Sequence, residues 1–462
     1  MDRYERFAVD ERRWPGVARV PDGPLLGHRA ELSRRAFRRA LLGETDRDSA
    51  AAPDGEARDG ASEVDGAAVV RGDIEVRDEA AMFRRVAEAD WVGLGESYLA
   101  GEWESRNVPG VLARLLGSGL DVGPGGRVNR GLRRISGRRP VPRATRAGGE
   151  LPASLIELYA GPTLAAGSAL FASGARTTVL EDIPNQAQGA GRGGVPGTWK
   201  VDVTRIDAPE GVARRDLMEA QARRIDRMLD LGRVRAGDRI LEWPSTGGDI
   251  ALRAADRGAS ADVLAVADDH AEVVRERAGT VGLSGAVRVL RSDDTMPSPR
   301  DFDADYDAIF NVERLETLGP SGMRAWLRRA ERVLADRGTV VVQMAVATPL
   351  FDDVAGDAVD LLRSYIWPAL HYPTMDEIRR VVDRDTGLRI IGETHMAAHA
   401  EKTIELWRGL FVANTRQAAG LGYDRVYRRL WEYNLSLQQA LLATGRLDVV
   451  QLELVAAPRR RR

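Results

Sequence analysis

From about residue 217 to residue 347, apolar positions fall into alternating helical and strand-like segments. Leu217 to Leu231 repeats its apolar residues at helical spacing, and Arg239 to Trp243 is a short apolar run after a glycine turn. Next come a helix over Ile250–Arg257, strands over Ala261–Val266, Val287–Leu290 and Asp307–Val312, a helix over Met323–Ala335 and a very apolar strand over Thr339–Val346. Buried strands separated by crossover helices predict an α/β, Rossmann-like domain with a mostly parallel sheet.

The first part of the chain has a different pattern. Leu32 to Leu42 is helical in period, Asp73 to Val76 alternates like a strand, and Asp78 to Ala89 has helical spacing. Between them, residues 45–68 contain almost no large apolar side chains, which is typical of a flexible loop. We expect a small α+β domain over residues 1–125.

A basic segment follows this domain. Arg127 to Arg146 holds eight arginines and no acid, and we interpret residues 126–150 as a basic linker. A solvated linker explains this composition. The alternative is an arm that contacts anionic lipid headgroups, to which the terminal Arg459–Arg462 would add. Residues 151–462 then form the main domain.

Composition and charge exclude several classes of function. The chain has 44% hydrophobic and 29% charged residues, as globular proteins have, and its net charge of -2 gives no general attraction for nucleic acid. With no cysteine there is no disulfide, thiolate metal site or cysteine nucleophile, and no His/Asp/Glu cluster has metal-ligand spacing. The charged N-terminus and the lack of a long apolar run predict a cytoplasmic protein.

Candidate cofactor residues follow the first three predicted strands. Glu242 ends the first strand, and Gly247 and Gly248 lie in the next turn, where a cofactor backbone approaches closely. Asp268 and Asp293 follow the second and third strands, where carboxylates hold ribose hydroxyls or an adenine amine. Each of these features alone also fits an ordinary turn or a solvated loop. The spacing of the acids along the alternating strands and helices is what favours a cofactor site.

The segment after the fourth strand supplies the catalytic candidate. It runs from Asn311 to Gly319, and Glu316 is the residue that we expect to face a substrate. The alternative is a carboxylate that stabilises a helix N-terminus.

Several separate motifs resemble those of the cyclopropane-fatty-acyl-phospholipid synthases, which include the mycolic acid cyclopropane synthases. The similar segments lie between about Gly93 and Gln451: Gly93–Tyr98, Gly101–Trp103, Pro162–Leu164, Ser168–Phe171, Ala220–Gln221, Ile225–Asp226, Tyr365–Pro368, His399–Trp407, Trp431–Tyr433 and Asp448–Gln451. The resemblance implies a class I methyltransferase domain with a mostly parallel seven-stranded sheet. It also implies that helical insertions, here Phe351–Trp431, cover a lipid acyl chain.

The family transfers a methyl group from S-adenosylmethionine to the cis double bond of a lipid acyl chain, and bound bicarbonate removes a proton. The resemblance places the bicarbonate shell on Ser168, Glu316, Gln343 and Asn434, and it adds His399 to the site. Only Glu316 is the usual family residue among the four shell positions. Cysteine, histidine and tyrosine are usual at positions 168, 343 and 434.

The cofactor side departs further from the family pattern. Pro244, Thr246 and Asp249 stand where the family turn has glycines, and Ala166–Gly167 replaces a Tyr-Ser pair. Further differences are Ala265–Ala267 after the second strand and Ala400 after His399. Two hypotheses follow. The first is an active S-adenosylmethionine-dependent lipid methyltransferase at the inner face of the membrane, to which we lean.

The second is a non-catalytic lipid-binding or regulatory partner of an active synthase. A NAD-dependent oxidoreductase is a distant third, because the turn is no better suited to a pyrophosphate. The sequence leaves the product open, and it equally leaves open association with itself or with a synthase.

Overall fold

A computed structural model describes residues 9–24, 26–42, 69–70, 74–118, 150–192, 195–303 and 305–457. These residues form two compact units. The first unit contains the described residues up to 118 together with Phe351–Tyr365 and Gly422–Thr444, and the second contains the remainder. The predicted loop 45–68, the basic segment Arg127–Arg146 and the tail Arg459–Arg462 lie outside the described residues.

The second unit is built on a nine-stranded sheet. In chain order its strands are β4 (Arg176–Pro184), β5 (Thr198–Ile206), β6 (Arg239–Glu242), β7 (Ser260–Ala265), β8 (Val287–Arg291), β9 (Tyr306–Val312), β10 (Leu334–Ala347), β11 (Leu388–His395) and β12 (Leu447–Ala456). Their order across the sheet is β4-β5-β11-β12-β10-β9-β6-β7-β8. β12 and β4 are antiparallel to their neighbours, and the other seven strands run parallel.

Eight described helices accompany this sheet in the second unit. They are α5 (Ala153–Ala160), α6 (Leu217–Leu231), α7 (Asp249–Asp256), α8 (Asp268–Thr280), α9 (Gly319–Val333), α11 (Met375–Asp385), α12 (Ala397–Ala413) and α13 (Thr415–Gly420). Trp243, Trp326 and Tyr306 are fully buried in one apolar cluster, and Ile240, Val263 and Val341 are fully buried in another. Burial of such side chains supplies the main favourable free energy of folding, about 1.5–3 kcal/mol for each large aliphatic or aromatic group.

The first unit combines helices with a small antiparallel sheet. Its elements are α1 (Pro15–Ala18), α2 (Leu26–Leu42), β1 (Val69–Val70), β2 (Ile74–Val76), α3 (Glu79–Leu99), β3 (Trp103–Glu104), α4 (Val108–Gly117), α10 (Asp353–Tyr365) and α14 (Arg425–Ala443). Arg85 is buried and pairs with Glu102 at 2.9 Å, while its guanidinium also donates to the carbonyl of Val17. These bonds are necessary, because an unpaired buried charge costs several kcal/mol.

The strand and helix predictions between residues 217 and 347 are confirmed to within a few residues, and the α/β class is confirmed. Three features differ from expectation. The hairpin β4–β5 extends the expected seven strands to nine, and β10 begins earlier than predicted, at Leu334. The helices α10 and α14, which we expected in the lipid-covering part of the main domain, belong to the first unit. In the part of the chain described here, no helix is both long and apolar enough to cross a membrane.

Candidate active site

The turn after β6 is held together by its own side chains. Glu242 is buried, and its two oxygens accept hydrogen bonds from the Ser245 hydroxyl at 2.7 Å and the Ala251 N–H at 2.9 Å. The same hydroxyl accepts a bond from the N–H of Gly248, which has a φ of 67°. Burial, and then the charge of Asp249, raises the pKa of Glu242 to about 7. Glu242 therefore stabilises the turn by accepting hydrogen bonds from Ser245 and Ala251.

Gly247 is closely packed on one side. A Cβ atom there would lie 2.8 Å from Nη1 of Arg277, 2.9 Å from Cβ of Leu164 and 3.0 Å from the carbonyl oxygen of Thr163. Arg277 donates to the carbonyl of Gly247 and pairs with Asp249 at 2.9 Å. A glycine is required at this position, but here the close approach is made by the chain itself.

Gly167, one of the two residues that replace the Tyr-Ser pair, is closely packed. A Cβ atom at Gly167 would lie 2.4 Å from Cγ1 of Val312 and 3.1 Å from Nη1 of Arg224. Arg224 is buried, and burial lowers its pKa although the charges of Asp249, Glu313 and Glu242 oppose this effect. A serine would not fit at position 167 without displacement of these side chains.

Asp268 and Asp293 lie at the carboxyl ends of the neighbouring strands β7 and β8. Their side chains are 92% and 95% exposed, and both pair with Arg291, at 2.6 Å and 2.7 Å. The guanidinium of Arg291 thus joins the two predicted cofactor acids. The structure brings Asp268 and Asp293 together at the edge where doubly wound sheets bind nucleotides.

Glu316 lies in a short 3₁₀ helix, Leu315–Leu318, after β9. Its Oε1 accepts a hydrogen bond of 3.3 Å from the N–H of Ala345 on β10. Its Oε2 is buried without a hydrogen-bond partner among the described residues. Burial, and then the charge of Glu313, raises the pKa of Glu316 to about 8. A buried carboxyl group with an unsatisfied oxygen and a raised pKa is typical of a site for proton transfer.

Glu313 links two of the predicted residues. Its Oε1 accepts hydrogen bonds from the backbone N–H of Ser168 at 2.7 Å and from Nε2 of Gln343 at 2.8 Å. Nε2 of Gln343 also donates to the carbonyl of Ser168, and its Oε1 accepts from Gln451 at 2.9 Å. The structure therefore places Ser168 and Gln343 side by side, with the carboxylate of Glu313 bonded to both.

Both ring nitrogens of His399 are bonded to backbone groups. Nδ1 accepts from the N–H of Phe171 at 3.0 Å, so Nε2 carries the proton and donates to the carbonyl of Asp207 at 3.1 Å. Burial lowers the pKa of His399, which favours the neutral ring. One turn further along α12, the Thr403 hydroxyl accepts from the N–H of Ala169. His399 and Thr403 thus fix the segment that carries Ser168.

Asn434 lies on α14 in the first unit, unlike the other predicted residues. It is buried, and its Oδ1 accepts from Nε2 of Gln438 at 2.8 Å. Its Nδ2 has no hydrogen-bond partner among the residues described.

Sequence reasoning missed Glu313 as a functional residue. The available signal was a second acid three positions before Glu316 in the same segment. It also missed a cavity of about 680 Å³ at the carboxyl ends of β5, β10 and β11. Its mostly apolar lining includes Ile206, Val346 and Met375. Val346 directly follows Ala345 in β10, and the N–H of Ala345 donates to Glu316.

Comparison with known proteins identifies the family of this chain. The sequence profile of the mycolic acid cyclopropane synthetase family matches residues 211–452, which is more than half of the chain. Tuberculostearic acid methyltransferase UfaA1 of Mycobacterium tuberculosis is 29% identical over 460 residues, which cover 97% of this chain and 96% of that protein.

Two solved structures share the fold. The cyclopropane synthase MmaA2 from Mycobacterium tuberculosis is 18% identical with a TM-score of 0.51, over 65% of this chain and 93% of its own. Coclaurine N-methyltransferase, bound to N-methylheliamine and SAH, is 14% identical with a TM-score of 0.54, over 80% of this chain and 99% of its own. The profile match and the α/β sheet together confirm the resemblance: this chain belongs to the mycolic acid cyclopropane synthetase family of methyltransferases.

Proposed function

We propose that this protein transfers a methyl group from S-adenosylmethionine to the cis double bond of an unsaturated phospholipid acyl chain. The observation that carries the proposal is the row of acids along one edge of the parallel sheet. Asp268 and Asp293 follow β7 and β8, and Glu316 follows β9. The name of the relative UfaA1, a tuberculostearic acid methyltransferase, favours a fatty acyl substrate.

The residues at the strand ends fit the nucleoside part of S-adenosylmethionine. Asp268 and Asp293 carry exposed carboxylates just after adjacent strands, and they would accept hydrogen bonds from ribose hydroxyls and the adenine amine. When bound, the cofactor supplies an electrophilic methyl group to the electron pair of the double bond. Arg291 would have to release the two acids, or share them with the ligand.

Glu316 is the group that we assign to the proton. Methylation leaves a positive charge on the acyl chain, and a C–H bond next to it must lose a proton for a neutral product to form. The electron pair of this C–H bond then either closes a ring or forms a new double bond. The buried carboxylate of Glu316, in its ionised form, takes this proton.

The cavity at the carboxyl ends of β5, β10 and β11 is suited to an acyl chain. Its mostly apolar lining and its volume of about 680 Å³ are in the range of small-molecule sites. Phospholipid reaches such a cavity from a membrane surface, so we expect peripheral membrane contact. The fraction of protein that sediments with vesicles should increase with their anionic lipid content. Sedimentation that is independent of this content would count against the basic segment as the membrane contact.

A second function is favoured by the packing around Gly247. Leu164 and Arg277 pack closely against Gly247, so side chains of the protein itself fill the space beside this turn. This supports a non-catalytic lipid-binding or regulatory partner of an active synthase. Incubation with methyl-labelled S-adenosylmethionine and unsaturated phospholipid vesicles distinguishes the two. Label in the acyl chains, absent with Glu316→Gln, supports the enzyme, whereas lipid binding without any label supports the partner.

A further inference from the structure

The position where the family holds bicarbonate does not fit a free anion in this protein. The backbone N–H of Ser168 and Nε2 of Gln343 would supply donors for it, but both already donate to one oxygen of Glu313. The second N–H of the Gln343 amide is bonded to the carbonyl of Ser168. Both nitrogens of His399 are bonded to backbone groups as well. A bicarbonate ion would have to displace a carboxylate of the chain.

We propose that Glu313 is a tethered anion that replaces bicarbonate in this site. A carboxylate and bicarbonate are both planar anions that accept hydrogen bonds through oxygen, so the Ser168 and Gln343 donors serve either one. A role of Glu313 in turnover rests on the proposed methyl transfer. The expected effects of Glu313 on bicarbonate binding do not.

The backbone of Glu313 supports a dedicated role. Its φ of 48° lies in the left-handed region, which costs free energy for a residue with a side chain. Such a conformation persists when surrounding contacts enforce it, and it concentrates at functional sites. Here the contacts are the bonds to Ser168 and Gln343 and a hydrogen bond of 2.6 Å from the N–H of Glu313 to the carbonyl of Gln343.

The electrostatics agree with one resident anion. The charges of Asp249, Glu313 and Glu242 all act on the buried Arg224, and Asp249 also pairs with Arg277. Glu313 also raises the pKa of Glu316 and so makes it the stronger base. A second anion beside the carboxylate of Glu313 would be repelled by it.

The test compares bicarbonate with chloride at equal ionic strength and pH in thermal unfolding. The wild-type midpoint should be the same in both. Glu313→Gly opens the position and suits the left-handed backbone, so its midpoint should rise by about 2 °C or more in bicarbonate, with saturation. Glu313→Gln fills the same volume without charge and should show no rise. A wild-type rise equal to that of Glu313→Gly, or no rise in a folded Glu313→Gly, would overturn the proposal.

Two further measurements cover other outcomes. If Glu313→Gly does not fold, line broadening of carbon-labelled bicarbonate is measured with the wild-type protein, where saturable broadening would contradict a tethered anion.

If methyl transfer is detected, wild-type turnover should not depend on bicarbonate. The midpoint of the pH–rate profile should move to lower pH in Glu313→Gln, because Glu316 loses a neighbouring charge. An unmoved midpoint would contradict that role. A protein without turnover refutes the proposed function alone, since the binding measurements stand by themselves.

Discussion

Nδ1 of His399 accepts a hydrogen bond of 3.0 Å from the backbone N–H of Phe171, which links α12 to the segment that carries Ser168. Because Nε2 donates to the carbonyl of Asp207 at the same time, both ring nitrogens are engaged in hydrogen bonds to the backbone. This relationship makes His399 a positioning residue. Its substitution should lower the stability of the fold rather than remove a group that takes part in the reaction.

We expect His399→Ala to lower the free energy of unfolding by about 1–3 kcal/mol, because it leaves a buried N–H and a carbonyl unsatisfied. His399→Asn is the matched control, since its Oδ1 can take the place of Nδ1 towards Phe171. It should recover part of the loss in thermal midpoint. Full stability of His399→Ala would contradict the positioning role. Stability supplied by the neutral ring should also fall as the pH drops below about 6.5, because the folded-state pKa lies below that ordinary value.

Ser245→Ala should weaken the turn after β6. The hydroxyl donates to Glu242 and accepts from Gly248, so its removal leaves two buried groups without a partner and costs about 1–3 kcal/mol. We expect a lower thermal midpoint and weaker binding of S-adenosylmethionine, measured by calorimetry. Thr246→Ala, in the same turn, is the control. Equal effects of the two substitutions would argue against a specific role for the Ser245 hydroxyl.

Glu316→Gln should reduce methyl transfer by about 10²–10⁴-fold, the usual contribution of a positioned acid or base. In the wild type, the rate should rise with pH through about 8 as the carboxyl group ionises. Stability should change in the opposite direction. A raised folded-state pKa means that stability is lost as pH rises from 4.5 to about 8, and Glu316→Gln should not show this loss. Identical pH–stability curves for both proteins would contradict the assigned pKa.

Ala398→Trp should fill part of the cavity at the carboxyl ends of β5, β10 and β11, because Ala398 lines it. We expect turnover of phospholipid to fall about tenfold or more, equivalent to about 1.4 kcal/mol, with unchanged affinity for S-adenosylmethionine. Ala398→Ser hardly changes the volume and should behave as wild type. Unimpaired turnover of Ala398→Trp would place the acyl chain elsewhere.

The central strands were predictable from the sequence because buried parallel strands are continuous apolar runs, as Arg239–Trp243 and Thr339–Val346 show. The hairpin β4–β5 was not, since most residues of β4 are exposed and its sequence lacks that signal. Grouping of α10 and α14 with the first unit depends on long-range contacts that helical spacing does not encode.

The site was predictable in its acids and less so in their partners. Glu316, Asp268 and Asp293 follow strands, and strand ends can be read from a sequence. The role of Glu313 depends on a left-handed backbone and on Ser168, 145 positions away in the chain, neither of which a local pattern reveals.

Calorimetric titration with S-adenosylmethionine and S-adenosylhomocysteine measures whether this protein binds the methyl donor at all. We predict micromolar binding by the wild type. Asp268→Asn combined with Asp293→Asn should weaken it by at least about tenfold, and Asp294→Asn should serve as the unaffected control. No heat with millimolar ligand would contradict the methyltransferase and leave the lipid-binding partner as the function of this chain.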